Sequence, residues 1–251
     1  MSSDPVVIVA AKRSPLGAFQ GSLSGAQSPD LAATAIRACL ETSGVDAAEI
    51  NEVLMGCVLP AGVGQAPARQ AALKAGIPLS AGCTTLNKVC GSGMKATMLG
   101  NDLIRVGSAN LVVTGGMESM SNAPYLMPKA RSGYRMGHQE VLDHMFFDGL
   151  QNPYDGNMMG HFAEVTAQKY GFSREDMDNF AIESVTRARA AMADGSFDDE
   201  IASVTISGRK GDTLVSEDEG PGNAQIEKIP TLRPAFAKDG TVTAASSSSI
   251  S

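Results

Sequence analysis

The 251 residues contain no apolar run approaching the length that spans a bilayer. A charged-then-apolar leader is missing too. Met1-Ser2-Ser3-Asp4-Pro5 runs straight into Val6-Val7-Ile8-Val9-Ala10, so no targeting peptide is expected. Positive charge is in short supply: 20 lysines and arginines stand against 27 acids, a formal net charge of -7. That balance argues against nucleic acid or an anionic membrane surface as the main partner, while leaving room for a local basic pocket. The four cysteines, Cys39, Cys57, Cys83 and Cys90, have neither CxxC pairing nor metal-ligand spacing. No metal site is expected, and a reducing cytoplasm is the expected location. No internal repeat is present.

What is present is ordinary for a soluble globular protein, with 43% hydrophobic and 19% charged residues. The length suits one large α/β domain or a domain with an insertion. Val6–Ala10 reads as a strand buried on both faces. Asp30 is placed to cap a helix to about Ser43, ended by Gly44. A strand at Val53–Val58, a helix at Ala66–Ala75, a strand into Cys90, a helix to about Val106 and a strand at Asn110–Thr114 follow. The order β-α-β-α-β-α-β predicts a largely parallel sheet covered by helices, with ligands at the carboxyl ends of its strands.

After Gly116 the pattern changes. Nine of the 13 methionines fall between Met94 and Met159. They fit an adaptable pocket for a flexible chain, and equally the filling of gaps between irregular loops. A helix is expected from Ser173 to about Met192, burying Met177, Phe180, Ala181, Val185, Ala188 and Met192. Ile201–Ser207 is strand-like, residues 208–212 form a turn, and residues 217–222 read as a solvated acidic loop.

One stretch organises the rest, Thr84-Thr85-Leu86-Asn87-Lys88-Val89-Cys90-Gly91-Ser92-Gly93-Met94-Lys95-Ala96. Residues before Cys90 alternate as a strand does, and those after it follow helical spacing. Cys90 therefore sits where a strand turns into a helix, beside glycines that leave the sulfur unshielded. A helix N-terminus favours a thiolate, which is how a fold presents a nucleophile. A small buried cysteine beside a tight turn is the other reading of the same residues.

Asn87 to Ala96 resembles the acyl-enzyme signature of the thiolase family. So do residues 11–19 (Ala-Lys-Arg-Ser-Pro-Leu-Gly-Ala-Phe) and residues 64–72 (Gly-Gln-Ala-Pro-Ala-Arg-Gln-Ala-Ala). Gly115-Gly116-Met117-Glu118-Ser119-Met120-Ser121 and Leu232-Arg233-Pro234-Ala235-Phe236 complete the set. Five stretches in the right order span nearly the whole chain, closest to the acetyl-CoA acetyltransferases. The resemblance implies an α/β fold of the layered αβαβα kind. Residues 1–120 correspond to the N-terminal half and 121–245 to the loop domain that meets coenzyme A. Residues 246–251 begin the return to the first half, so the chain is expected to be a piece of a larger protein.

The resemblance also implies chemistry. Cys90 matches the cysteine that attacks an acyl-CoA thioester and carries the acyl group. A second cysteine as base, an activating histidine and an asparagine-held water belong to the family's second half. His138, His144 and His161 match no such motif and read as ordinary loop or helix histidines. Leu150, Met159, Ala235, Phe236, Ala244 and Ser248 match positions that meet the pantetheine or adenine part of coenzyme A, or the reacting sulfur. Two departures stand out: Met158 replaces a histidine of many relatives, and Ser246 an asparagine. Coenzyme A is expected as substrate and product with no separate cofactor. Acyl-CoA is the expected partner, and a homo-oligomer (dimer or tetramer) is the expected assembly. A ketoacyl-synthase-like enzyme and a non-catalytic CoA-binding chain are the alternatives.

Overall fold

The computed structural model of the chain describes residues 5–251. Helix α1 (Ser28–Ser43) takes Pro29 into its first turn and stops at Gly44, whose φ of 67° is a left-handed conformation cheap only for glycine. Asp30 is not the cap itself. It sits inside the first turn, where its carboxylate accepts the Gln27 backbone N–H at 3.2 Å. Strand β1 (Glu52–Gly56), helix α2 (Pro67–Lys74), strand β2 (Gly82–Leu86), helix α3 (Ser92–Arg105) and strand β3 (Val112–Gly116) follow in the expected order.

The three strands pair in parallel in the order β2-β1-β3, with Val53 opposite Cys83 on one side and Val113 on the other. Strand alternation then divides the packing. Val53, Met55 and Cys57 point into a core with Ala32, Ala33 and Ile36 of α1 and Ala68, Ala71 and Ala72 of α2. The opposite face carries α3, and it can approach because glycines clear the way. A Cβ on Gly56 would lie 2.5 Å from Ser92 Cβ, and one on Gly100 would lie 2.6 Å from Thr114 Cγ2. Helices on both faces of a parallel sheet make this an α/β fold, with crossovers β1-α2-β2 and β2-α3-β3.

The expected strand at Val6–Ala10 does not form. The segment has no strand partner among the described residues, and Val7 and Ile8 are 67% and 79% exposed. A strand is made by its neighbour as much as by its own apolar residues, and the far edge of β3 is also unpaired among the described residues. The chain is instead fastened just after it. Arg13 donates to both oxygens of Asp218 at 2.7 and 2.9 Å and to Glu200 at 2.5 Å, and it lies 5.1 Å from the Phe197 ring centre.

Beyond β3 come a short pair β4 (Tyr125–Leu126) and β5 (Leu142–Asp143), a π-turn at Met145–Leu150, and helices α4 (Met159–Tyr170) and α5 (Arg174–Ala193). Helix α5 starts as expected with Ser173 as cap. Of its expected buried face only Ala181 is buried, and Met177, Val185, Ala188 and Met192 are half-buried. Phe180 is 78% exposed, and Asp178 lies on the inner stripe with Ala181, paired with Arg174. Strands β6 (Val204–Ile206) and β7 (Thr213–Val215) form a hairpin. The acidic loop after β7 is not solvated. Asp218 is 7% exposed beneath Arg13, and Glu219 accepts the N–H groups of Ala18 and Ser22. The N-terminal loop's unpaired donors draw these carboxylates in.

Candidate active site

Strand β2 ends at Leu86, and five residues turn the chain into α3. Asn87 Oδ1 accepts the Val89 N–H at 2.8 Å, Ser92 Oγ accepts the Lys88 N–H at 2.8 Å, and the Ser92 hydroxyl donates to Val89 O at 2.6 Å. These bonds hold Val89 at φ 47°, a left-handed conformation that a β-branched residue adopts only under constraint. The turn throws Cys90 outward at the N-terminus of α3, and the thiol is exposed. The buried-cysteine reading is therefore wrong. The strand-to-helix junction was legible in the sequence, whereas the strain at Val89 was not.

A cavity of about 610 Å³ opens beside Cys90. Val58, Leu59, Glu118, Gly149 and Leu150 form one wall and the β3 edge from Val113 to Gly116 another, and no histidine lines it. Helix N-termini leave N–H groups without intrahelical acceptors, and Ser92 and Gly93, which open α3, line the same cavity as Cys90. A larger groove of about 760 Å³ lies between α1 and β6, with Asp30, Arg37, Glu41 and Lys74 on its walls and no cysteine.

The other cysteines are differently situated. Cys57 is buried against Glu118, and burial together with that negative charge pushes its thiol up to about 11. Burial also raises Cys39, offset in part by Lys12. Among the described residues, no cluster of three or more His, Cys, Asp or Glu is placed to hold a metal ion. Nor is any helix there long and apolar enough to cross a membrane.

The residues expected to meet coenzyme A fall into two groups. Leu150 lines the cavity with Cys90. Met159 opens α4, and Phe236 lies on the neighbouring Gly160, so Met159, Ala235 and Phe236 come together away from the cavity. The groups are joined twice. Gln151 pairs with Met158, linking Leu150 to Met159, and the tail from Ala235 runs back until Ser251 lines the cavity and accepts the Met120 N–H. Glu164 of α4 fixes that tail by accepting the N–H groups of Thr241 and Val242. Ala244 and Ser248 are exposed on it. Ser246 accepts the Thr243 N–H at 2.9 Å and closes a turn.

Two residues here escaped sequence reasoning. Glu118 stood inside a quoted motif without a role, and its carboxylate accepts the N–H groups of Val58 and Leu59 at 2.8 and 3.1 Å. His144, read as an ordinary loop or helix histidine, is buried and bonded on both ring nitrogens. It is 4% exposed, with Nδ1 2.6 Å from Asp148 and Nε2 accepting the Ala61 N–H. An HxxxD pairing on one turn, Asp148 four residues after His144, was the one signal available.

The family profile described as "Thiolase, N-terminal domain" matches residues 6–251. An acetyl-CoA acetyltransferase of Pseudomonas aeruginosa is 51% identical over 98% of this chain and 63% of its own length. Acetyl-CoA acetyltransferase IA of Candida tropicalis is 47% identical over 100% of the chain and 63% of its length. A probable acetyl-CoA acyltransferase of Staphylococcus aureus is 46% identical over 98% and 63%. The chain thus spans somewhat under two thirds of the length of these curated relatives. A match continuous from the sixth residue to the last, over a sheet and elbow that project one unshielded cysteine, makes this chain a member of the thiolase family.

Proposed function

We propose that this chain carries the nucleophile of an acyl-CoA C-acyltransferase, transferring acetyl groups between coenzyme A thioesters. The observation that supports it most directly is the exposed Cys90 on a constrained elbow at the start of α3, beside a cavity walled by Leu150. The Cys90 thiolate adds to the thioester carbonyl carbon. The electron pair of the C=O bond moves to oxygen, and the α3 N-terminus offers donors for that oxyanion. Collapse of the adduct restores the carbonyl and expels the coenzyme A thiolate, which takes up a proton. Sulfur replaces sulfur, so the step needs no strong driving force.

Condensation of the acyl group with a second acetyl-CoA, or thiolysis of acetoacetyl-CoA in reverse, needs a base for the α-proton. No histidine lines the cavity, and Glu118 is already engaged by backbone donors. The base, the activating histidine and the oxyanion water are assigned to sequence that the longer relatives carry. Coenzyme A is assigned a path from Leu150 past Met159, Ala235 and Phe236, with Ala244 and Ser248 on the exposed tail. No separate cofactor, a cytoplasmic location and a homo-oligomer complete the reading.

The test is an acyl adduct. Incubation with acetyl-CoA, followed by peptide mass mapping, is expected to find one acetyl group on the Cys90 peptide and none after Cys90→Ser. An unmodified Cys90 with coenzyme A still bound would overturn the reading in favour of a non-catalytic CoA-binding chain.

A further inference from the structure

The segment Cys57–Ala61, which leaves β1 and borders the cavity, is held from three directions by residues far away in sequence. Its start is tied to the nucleophile loop. Leu86 O accepts the Cys57 N–H at 3.0 Å, and the Asn87 amide donates to Val58 O at 3.3 Å. Its middle is tied to the end of β3. A single carboxylate, Glu118, takes the N–H of Val58 at 2.8 Å, the N–H of Leu59 at 3.1 Å and the thiol of Cys57 at 3.7 Å. Its end is tied to the π-turn. His144 Nε2 accepts the Ala61 N–H at 3.4 Å, which assigns the ring proton to Nδ1, where it is donated to Asp148. The buried Leu59 side chain then packs beneath Gly149, where an added Cβ would lie in van der Waals contact, 3.4 Å from Leu59 Cδ2. Leu150 is the next residue, and it lines the same cavity as Cys90.

Every link in this arrangement ends on the space beside the nucleophile. Polar anchors fix the backbone of 57–61, that backbone fixes Leu59, and Leu59 supports the turn that presents Leu150. Backbone N–H groups bonded to a half-buried carboxylate or a buried imidazole are costly to free, so the wall is stiff. We propose that Glu118 and His144 are positioning residues that hold this wall and thereby set the length of acyl chain that Cys90 accepts. The inference rests on the acyl-transfer reading above. It deepens that reading by naming the residues that decide the acyl class, neither of which touches the acyl group.

The experiment measures acyl transfer to Cys90 from acetyl-, butyryl- and hexanoyl-CoA by peptide mass mapping. Variants confirmed as folded by circular dichroism are compared. In the wild-type chain, adduct formation is expected to fall steeply with acyl length. Glu118→Gln and His144→Leu are expected to flatten that fall, raising hexanoyl relative to acetyl transfer by about tenfold, the scale of one lost bond to a charged group. His144→Gln puts an amide oxygen within reach of the Ala61 N–H and is expected to keep the wild-type profile. An equal loss at every chain length, with no rescue by His144→Gln, would mean that both residues only support the fold, and the proposal would be overturned.

A second readout needs no acyl-CoA. Freed from Glu118, Cys57 is expected to react with iodoacetamide at least about tenfold faster in Glu118→Gln. Unchanged Cys57 labelling would overturn the anchoring. Should wild-type Cys90 accept no acyl group of any length, the acyl-transfer reading fails and the chain-length claim falls with it. Cys57 labelling still decides whether Glu118 holds the wall.

Discussion

Phe236 rests its ring on Gly160, where any Cβ would overlap the ring carbons Cγ, Cδ1 and Cε1. The two residues lie in different segments, yet the contact brings Ala235 and Phe236 beside Met159.

Gly160→Ala is therefore expected to displace the Phe236 ring and to destabilise the fold by about 1–3 kcal/mol, as overpacking does. Phe236→Ala alone is expected to weaken coenzyme A binding with a smaller stability cost. The double variant should recover part of the stability lost in Gly160→Ala, since the clash has lost its partner. Thermal denaturation of the three variants measures this, and strictly additive losses would disprove the contact.

Arg13 and Asp218 should give the chain an acid-sensitive joint. Burial pushes the Asp218 carboxyl up, but the Arg13 hydrogen bonds, the Leu16 N–H and the Arg13 charge outweigh it and hold the group below its ordinary range. A carboxylate lowered in the folded state binds its proton less readily there than in the unfolded chain. Its stabilisation is complete above the unfolded value of about 4 and is lost as pH falls through the lower folded value. Arg13→Ala leaves Asp218 buried without a partner and is expected to cost about 3 kcal/mol, the low end for such a pair because Arg13 keeps some solvent contact. Urea denaturation should find that the difference between wild type and variant shrinks on acidification.

The four thiols are expected to separate cleanly under limiting iodoacetamide. Cys90 is exposed on its elbow and should label first. Cys57 is buried beside Glu118, with its thiol pushed up to about 11, and should label last until the pH approaches that value. Peptide mapping reads the order, and labelling of Cys90 no faster than Cys39 or Cys83 would count against the nucleophile assignment.

Chemistry in residues 1–251 by themselves is expected to stop at the acyl-enzyme. The cavity offers a thiol and helix-terminal donors, but no histidine lines it, and a positioned acid–base group is worth roughly 10²–10⁴-fold. Acetyl-CoA should leave a stable adduct on Cys90, with acetoacetyl-CoA thiolysis at background in a coupled assay. Sustained turnover would place a catalytic base within these residues.

Much of this molecule was decided locally, and the sequence alone determined it. Gly44 ends α1, Pro67 opens α2 and Ser173 caps α5 because each of these residues makes its own backbone geometry or its own cap. Alternation before Cys90 and helical spacing after it put the cysteine at a junction, and no distant group was needed to see that.

Tertiary structure decided everything that depends on a partner. Val6–Ala10 is as apolar as a buried strand, yet a ladder needs a neighbour, and none is present among the described residues. The acids after β7 read as solvated until the fold brings Asp218 under Arg13, 205 positions away. Val89 is driven into a left-handed conformation, Glu118 is set on the N–H groups of Val58 and Leu59, and His144 is buried against Ala61. Local pattern reports what a residue can do with its neighbours in the chain. Which donor meets which acceptor across space is fixed only when the strand order and the helix faces are.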